Sequence, residues 1–263
     1  MNVSGRTVLL TGATGGIGHA IARRLHGAGA KLILSGRRTE VLEPLAVELG
    51  ARSVAVDLSD PADVDRLVSE AGAVDVVIAN AALPASGPLL DYSSEQIDRA
   101  LAVNLRAPMV MARLFGEEMV QRGEGQLVFV SSVLGKAGGP GSSVYSATKF
   151  GLRGFAQCLR ADLRPAGVGV SVVFPGFIRD AGMFADSGTK LPGFVGTSSP
   201  EEVADGVLSA IENNRGEVDV APVAIRIGAK FASVAPEIAA RVNRRVGADK
   251  IAEQMSASQA GKR

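Results

Sequence analysis

The chain is poor in the residues that build metal and redox centres. Its 263 residues include one cysteine, two histidines and no tryptophan, and aromatics make up only 4%. A single cysteine, Cys158, excludes an internal disulfide and fits a reducing compartment. Its position in a helical stretch predicts a small core residue without a redox role. His19 and His26 have no cysteine or carboxylate cluster around them, so no metal site is expected. Charge shows no bias either: at +1 overall, the molecule offers nucleic acid no general attraction. No apolar run approaches the roughly eighteen residues that would suggest a membrane span. The start, "MNVSGRTVLLTGATGG", lacks a basic stretch followed by a long apolar run, so no signal peptide is expected and the location predicted is cytoplasmic.

What the chain does have is apolar surface, with 46% hydrophobic residues, enough for one generous α/β domain. Short β-branched runs mark strands at 7–11, 31–35, 53–57, 74–79, 126–131 and 169–174, with another near "EVDVAPV". Most are continuously apolar, as in a parallel sheet covered on both faces. Helical patterns at 17–28, 39–49, 61–71, 93–121 and 143–164 lie between them, and a further helix starts at Pro200 after serine caps. Strict alternation predicts a Rossmann-like doubly wound parallel sheet, a single domain over 1–255 with helices on both faces. Residues 180–199 carry no period and are expected to be a substrate loop, with Met183, Phe184, Leu191 and Phe194 offering apolar side chains. Residues 222–255 are expected to form a basic helical segment, and 256–263 a frayed tail. The stretch 222–263 holds eight Lys/Arg and three Asp/Glu, a local +5 that leaves −4 for the rest. A solvated face and a docking face for an acidic partner or a membrane surface are both open readings of it.

"TGATGGIG" (11–18) follows the first strand and opens a helix. Glycines there let the backbone approach a pyrophosphate, and the helix N-terminus supplies oriented N–H groups. Gly12, Thr14, Gly16, Ile17 and Gly18 are therefore the expected phosphate-side residues. At the end of the second strand, where an NAD site would carry an acid, stand Arg37 and Arg38. A guanidinium pair suits a 2′-phosphate, so NADP(H) is expected over NAD(H). Asp57 is placed to accept from the adenine amino group. In "SSVYSATKF" (142–150), Tyr145 and Lys149 are four positions apart, on one helix face. An ammonium beside a phenol is expected to lower its pKa toward a range useful for proton transfer.

These segments together resemble the classical short-chain dehydrogenase/reductase family over nearly the whole chain. The glycine turn, "ANAA" (79–82) with Asn80, "VNLRAP" with Asn104, Ser132 thirteen residues before Tyr145, "YSATK", and "FPGFI" (174–178) all carry the likeness. "GATGGIG" also fits the epimerase-like branch, but only residues 175–263 remain for its extra substrate domain, which favours the classical branch. The resemblance implies carbonyl reduction, or oxidation of the corresponding secondary alcohol, by hydride transfer. It implies that Tyr145 is the general acid/base, Ser132 holds the substrate oxygen, Lys149 also bonds the nicotinamide ribose, and Asn104 holds a water of the proton relay. Pro175, Gly176 and the Ile178 backbone would meet the nicotinamide. Arg179 stands where the family often has threonine, and Ala79 and Ala82 replace its asparagine and glycine. A lipophilic substrate such as a 3-oxoacyl thioester is expected; steroid, quinone or simple ketone reduction, or a non-catalytic dinucleotide sensor or scaffold, are the alternatives. The resemblance further implies a homodimer or homotetramer paired through the helices at 93–121 and 143–164.

Overall fold

Val8 and Leu10 of the first strand point to one side of a sheet and Leu9 to the other, and all three are fully buried. That two-sided burial is why the strand reads as an unbroken apolar run. The computed structural model describes residues 1–263 except 190, 192–194, 246, 260, 262 and 263. The strands are β1 (Thr7–Thr11), β2 (Lys31–Gly36), β3 (Arg52–Ala55), β4 (Val76–Ala79), β5 (Gly125–Val130), β6 (Val168–Pro175) and β7 (Glu217–Val220). They form one parallel sheet, seven strands among the described residues, in the order β3-β2-β1-β4-β5-β6-β7. The chain runs outward from β1 to β3 and returns to β4, so a crevice opens at the carboxyl ends of β1 and β4, the usual ligand position in such sheets.

The helices are α1 (Gly16–Gly27), α2 (Thr39–Glu48), α3 (Pro61–Ala71), α4 (Ser94–Leu101), α5 (Ala107–Arg122), α6 (Ser143–Leu163), α7 (Gly182–Ala185), α8 (Pro200–Glu212), α9 (Val223–Val234), α10 (Pro236–Arg245) and α11 (Ala248–Gln259). Ile21 and Leu25 of α1, Leu42 of α2 and Val207 of α8 build the core on one face of the sheet. Val64 and Leu67 of α3, Phe115 of α5 and Leu152 of α6 build it on the other. The start expected at Pro200 is a full capping box: Glu202 N–H donates to Ser199 Oγ at 3.2 Å, and Ser199 N–H to Glu202 Oε2 at 2.6 Å.

Three expectations need correction. The single helix expected over 93–121 is divided into α4, a π-turn over Ala102–Arg106, and α5. Pro108 has no N–H to donate to the carbonyl of residue 104, so the α ladder cannot run through. Cys158 lies in α6 but is exposed: it sits two residues, about 200° of helix, beyond buried Ala156. The basic C-terminal segment is helical as expected, in three pieces, α9 to α11. The tail expected to fray from 256 instead continues α11 to Gln259, whose side chain is buried.

Candidate active site

The glycine turn is fastened to the end of β4. Thr11 Oγ1 accepts from the backbone N–H groups of Asn80 and Ala81, each at 3.2 Å. Asn80 Nδ2 donates to the carbonyls of Thr11 (3.1 Å) and Gly12 (3.2 Å), so Asn80 holds the turn from behind. Gly12 has φ +67°, and a Cβ there would lie 2.7 Å from Ala81 Cα. At Gly18 a Cβ would meet the Gly12 carbonyl oxygen at 2.2 Å, and at Gly16 it would meet Ala181 Cβ at the same distance. Among the described residues no side chain caps α1, and Gly15 to Gly18 line the cavity that its first N–H groups border. The cradle is thus shaped for a group that approaches backbone closely, as a pyrophosphate does, and the residues present fit a dinucleotide.

Arg37 and Arg38 stand at the far end of this cavity, both exposed. Arg38 donates to the Thr14 carbonyl, and the Thr14 methyl packs against Gly36. An Arg37 nitrogen lies 3.7 Å from Asp57 Oδ2, and Arg99 of α4 reaches the same oxygen at 4.0 Å. Burial would raise the Asp57 carboxyl, but donors from Ser59, then Arg37 and Arg99, hold it below its ordinary value. Arg99 had no sequence signal; it reads as one charge among several on an amphipathic helix.

The turn after β5 presents Ser132. Ser131 Oγ donates to the Lys149 carbonyl at 3.2 Å, and Gly135 packs so tightly on that carbonyl that a Cβ would lie 2.8 Å away. This packing fixes the turn against α6, and the Tyr145 hydroxyl makes a side-chain hydrogen bond with Ser132. Lys149 is only 2% exposed; its Nζ donates to the Val130 carbonyl at 2.9 Å and lies 5.6 Å from the Tyr145 ring centroid. The expected lowering of the phenol by Lys149 is not what the structure gives. Burial pushes Tyr145 up to about 12, against a smaller lowering from Ser132, and burial pushes Lys149 down to about 8.

Asn104 is buried in the π-turn, and both side-chain polar groups are committed to one residue. Leu83 N–H donates to its Oδ1 at 2.7 Å, and its Nδ2 donates to the Leu83 carbonyl at 3.0 Å. Its side chain therefore clamps the segment after β4. Beyond β6, Pro175, Gly176 and Ile178 border the cavity. Gly176 N–H donates to the Val220 carbonyl at 2.9 Å, and Ile178 bridges to Ser198. Arg179 turns toward the Thr197 carbonyl (3.2 Å) and Glu202 (3.7 Å), away from the cavity.

The cavity, about 1080 Å³, is lined by every expected site residue except Asn104, and Arg179 does not border it. Met183, Phe184 and Leu191 of the expected substrate loop line it, while Phe194 lies outside the described residues. Its far wall was missed by sequence reading. Ile225 and Ala229 of α9, Val242 of α10, and Ile251, Met255 and Gln259 of α11 close it. Gln259 Nε2 donates to the Met183 carbonyl at 3.1 Å, tying the chain's end to the loop.

A doubly wound sheet with a glycine cradle at its switch point and a Ser–Tyr–Lys group beside it defines a dinucleotide-dependent oxidoreductase. Residues 6–191 match the model of the short chain dehydrogenase family. A ketoacyl reductase, HetN, from Nostoc sp. is 37% identical over 227 residues, covering 83% of this chain and 79% of that protein. A 3-oxoacyl-[acyl-carrier-protein] reductase, FabG, from Rickettsia conorii is 34% identical over 181 residues, covering 68% and 75%. The solved structure of a short-chain dehydrogenase from Sphingobium yanoikuyae in complex with NADPH superposes with a TM-score of 0.77 at 29% identity, covering 89% of this chain and 95% of that one. The chain belongs to the short-chain dehydrogenase/reductase family and is an NAD(P)-dependent oxidoreductase.

Proposed function

We propose that the protein is an NADPH-dependent reductase of lipophilic carbonyl compounds, with 3-oxoacyl thioesters the first class to test. The observation that carries this reading is one cavity that holds Ser132, Tyr145 and Lys149 between a glycine cradle and an apolar far wall. Gly12, Thr14, Gly16, Ile17 and Gly18, with Asn80 behind the turn, would hold the pyrophosphate; Arg37 and Arg38, with Asp57 beside Arg37, would hold the adenosine end. Pro175, Gly176, Ile178 and Lys149 would bound the nicotinamide end. Bound there, NADPH supplies the hydride.

The chain's own residues do the rest. Ser132 O–H donates to the carbonyl oxygen and stabilises it as negative charge develops. Tyr145 gives its proton to that oxygen. A phenol at about 12 keeps its proton at neutral pH, the form needed to donate to a carbonyl oxygen. Lys149 lies behind the ring, anchored on Val130, and supports the phenol's position. Asn104 acts through the Leu83 segment as a positioning residue. The catalytic unit would then include α11 to Gln259, which borders the cavity. Exposed Met109 and Val120 on α5 and Phe150 on α6 support pairing of these helices with a second copy.

The test is NADPH consumption against 3-oxoacyl thioesters of increasing chain length, beside steroid, quinone and simple ketone carbonyls. Rising kcat/KM with acyl length supports the reading. Loss of NADPH with none of these compounds, despite measurable NADPH binding, would favour a dinucleotide sensor.

A further inference from the structure

Helix α9 carries two apolar faces, and among the described residues one borders the cavity while the other is largely exposed. Ala224, Ile225, Gly228 and Ala229 border the cavity. Val223, Ile227, Phe231 and Val234, spaced four, four and three residues apart, share a second face and are 65%, 62%, 46% and 84% exposed. On the following helix, α10, Ile238 and Val242 stand one turn apart and are 50% and 48% exposed. Scattered exposed apolar side chains are ordinary, but six on two consecutive helices form a patch. Cations border it: Arg226 and Lys230 on α9, Arg241 and Arg244 on α10. Residues 223–245 contain five Lys/Arg and one Asp/Glu, Glu237, a net +4. Glu237 lies 3.9 Å from Arg241, and Asp219 of β7 lies 4.0 Å from Arg226.

The geometry points to α9 and α10 as a peripheral docking surface for an anionic phospholipid bilayer. The apolar stripe enters the boundary between headgroups and acyl chains, and the bordering Arg and Lys meet phosphates. Charge selects this occupant over a second copy. Two-fold pairing would set one basic border against an identical one, an arrangement that like charges oppose. Among the described residues no helix is long and apolar enough to cross a membrane, so the contact is superficial. Val242 of α10 is half-exposed and also lines the cavity, so α10 brings the docking surface to the cavity's edge. If the proposed lipophilic substrate is right, it would reach Tyr145 from the bilayer with little passage through water; the docking itself does not depend on that reading.

The test is co-sedimentation with vesicles of phosphatidylcholine alone and of phosphatidylcholine containing phosphatidylglycerol, without cofactor or substrate. Binding to the anionic vesicles is expected, weakened strongly by about 0.5 M salt, where screening shortens to a few ångströms. Ile227→Ser with Phe231→Ser, and separately Lys230→Glu with Arg244→Glu, should each reduce binding at least about tenfold, or roughly 1.4 kcal/mol. Unchanged thermal unfolding of both double variants confirms that the fold survives these exposed replacements. Three results overturn the proposal: no binding to anionic vesicles, equal binding by the variants, or loss of native oligomer mass in the Ile227/Phe231 variant without vesicle binding. The last would assign the face to a second copy. Because no turnover is read, a failed docking result and a failed reductase result remain separate.

Discussion

Lys149 lies 5.6 Å from the centroid of the Tyr145 ring and is anchored on the Val130 carbonyl at 2.9 Å. The two residues share a helix face, as their spacing requires, but the lysine's first partner is the backbone of β5. Its role in the protein is then double: it holds β5 against α6 and it supports the phenol. Tyr145→Phe removes the proposed proton donor and keeps the ring, so turnover should fall at least about a hundredfold with little change in stability or NADPH affinity. Lys149→Ala should lose turnover, weaken NADPH binding and lower stability, since it also removes a buried bond. The check is kcat, NADPH affinity and urea midpoint for both variants. Undiminished kcat in the Tyr145→Phe variant would refute the mechanism.

The depressed Lys149 also makes stability depend on pH. Folded, it titrates near 8; unfolded, it returns to its ordinary value above 10. Below pH 8 both states carry the proton, and the folded state bears the full cost of a buried charge. Between 8 and about 10 the unfolded state binds more protons, so stability rises with pH there, by on the order of 1–3 kcal/mol. Tyr145 acts in the opposite sense at higher pH: folded it holds its proton to about 12, so its contribution falls away only as pH passes its ordinary value near 10 and on to 12. Urea midpoints measured from pH 7 to 10 should rise more in the unmodified protein than in Lys149→Met. Parallel curves would show that Lys149 is not the source.

Much of this was legible in the sequence because local chemistry and tertiary position coincide. Short, β-branched apolar runs bounded by glycine, such as "TVLLT", fit strands buried on both faces, and "TGATGGIG" needs glycines wherever it packs as closely as Gly12 on Ala81. The break at Asn104 was also written there, in Pro108, but a strong apolar helix pattern on both sides concealed it. The electrostatics were not legible. Spacing places Lys149 beside Tyr145, but only the burial of both decides which way each pKa moves. The far wall of the cavity was invisible for a different reason. Helices α9 to α11 are locally ordinary, and nothing in their periodicity says which of two apolar faces turns inward.

Cofactor choice should follow Arg37 and Arg38. Both are exposed at the adenosine end, and Arg37 is shared with Asp57 at only 3.7 Å, long enough to release toward a phosphate. NADPH is expected to support turnover at least about tenfold better than NADH, a difference of roughly 1.4 kcal/mol and modest for a charge-assisted contact. Arg37→Asp would set a second carboxylate beside Asp57 and should erase or reverse the preference. Equal kcat/KM with both cofactors in the unmodified protein would exclude the assignment. The same measurement on Arg99→Ala tests whether the third guanidinium around Asp57 contributes; a smaller fall in NADPH preference is expected, because Arg99 lies farther from Asp57 than Arg37 does.

The bond between Gln259 and Met183 links the end of α11 to the loop over the cavity. Gln259 is 1% exposed, its Nε2 donates to the Met183 carbonyl at 3.1 Å, and among the described residues its Oε1 has no partner. A buried amide using only one of its two ends gives a modest net gain, on the order of 1 kcal/mol, because its unpaired oxygen offsets part of the bond. The tie is therefore strong enough to bias the loop and weak enough to open for substrate. Gln259→Ala should speed amide exchange at 181–186 by about fivefold, the factor that 1 kcal/mol implies, with exchange in β1 and β5 unchanged. Its kinetic effect should appear in KM for the carbonyl substrate more than in kcat, since the residue belongs to the far wall of the cavity and not to the Ser132–Tyr145 group. Exchange at 181–186 that does not respond to the substitution would mean that α7 is held by its own contacts and that α11 is a wall instead of a latch.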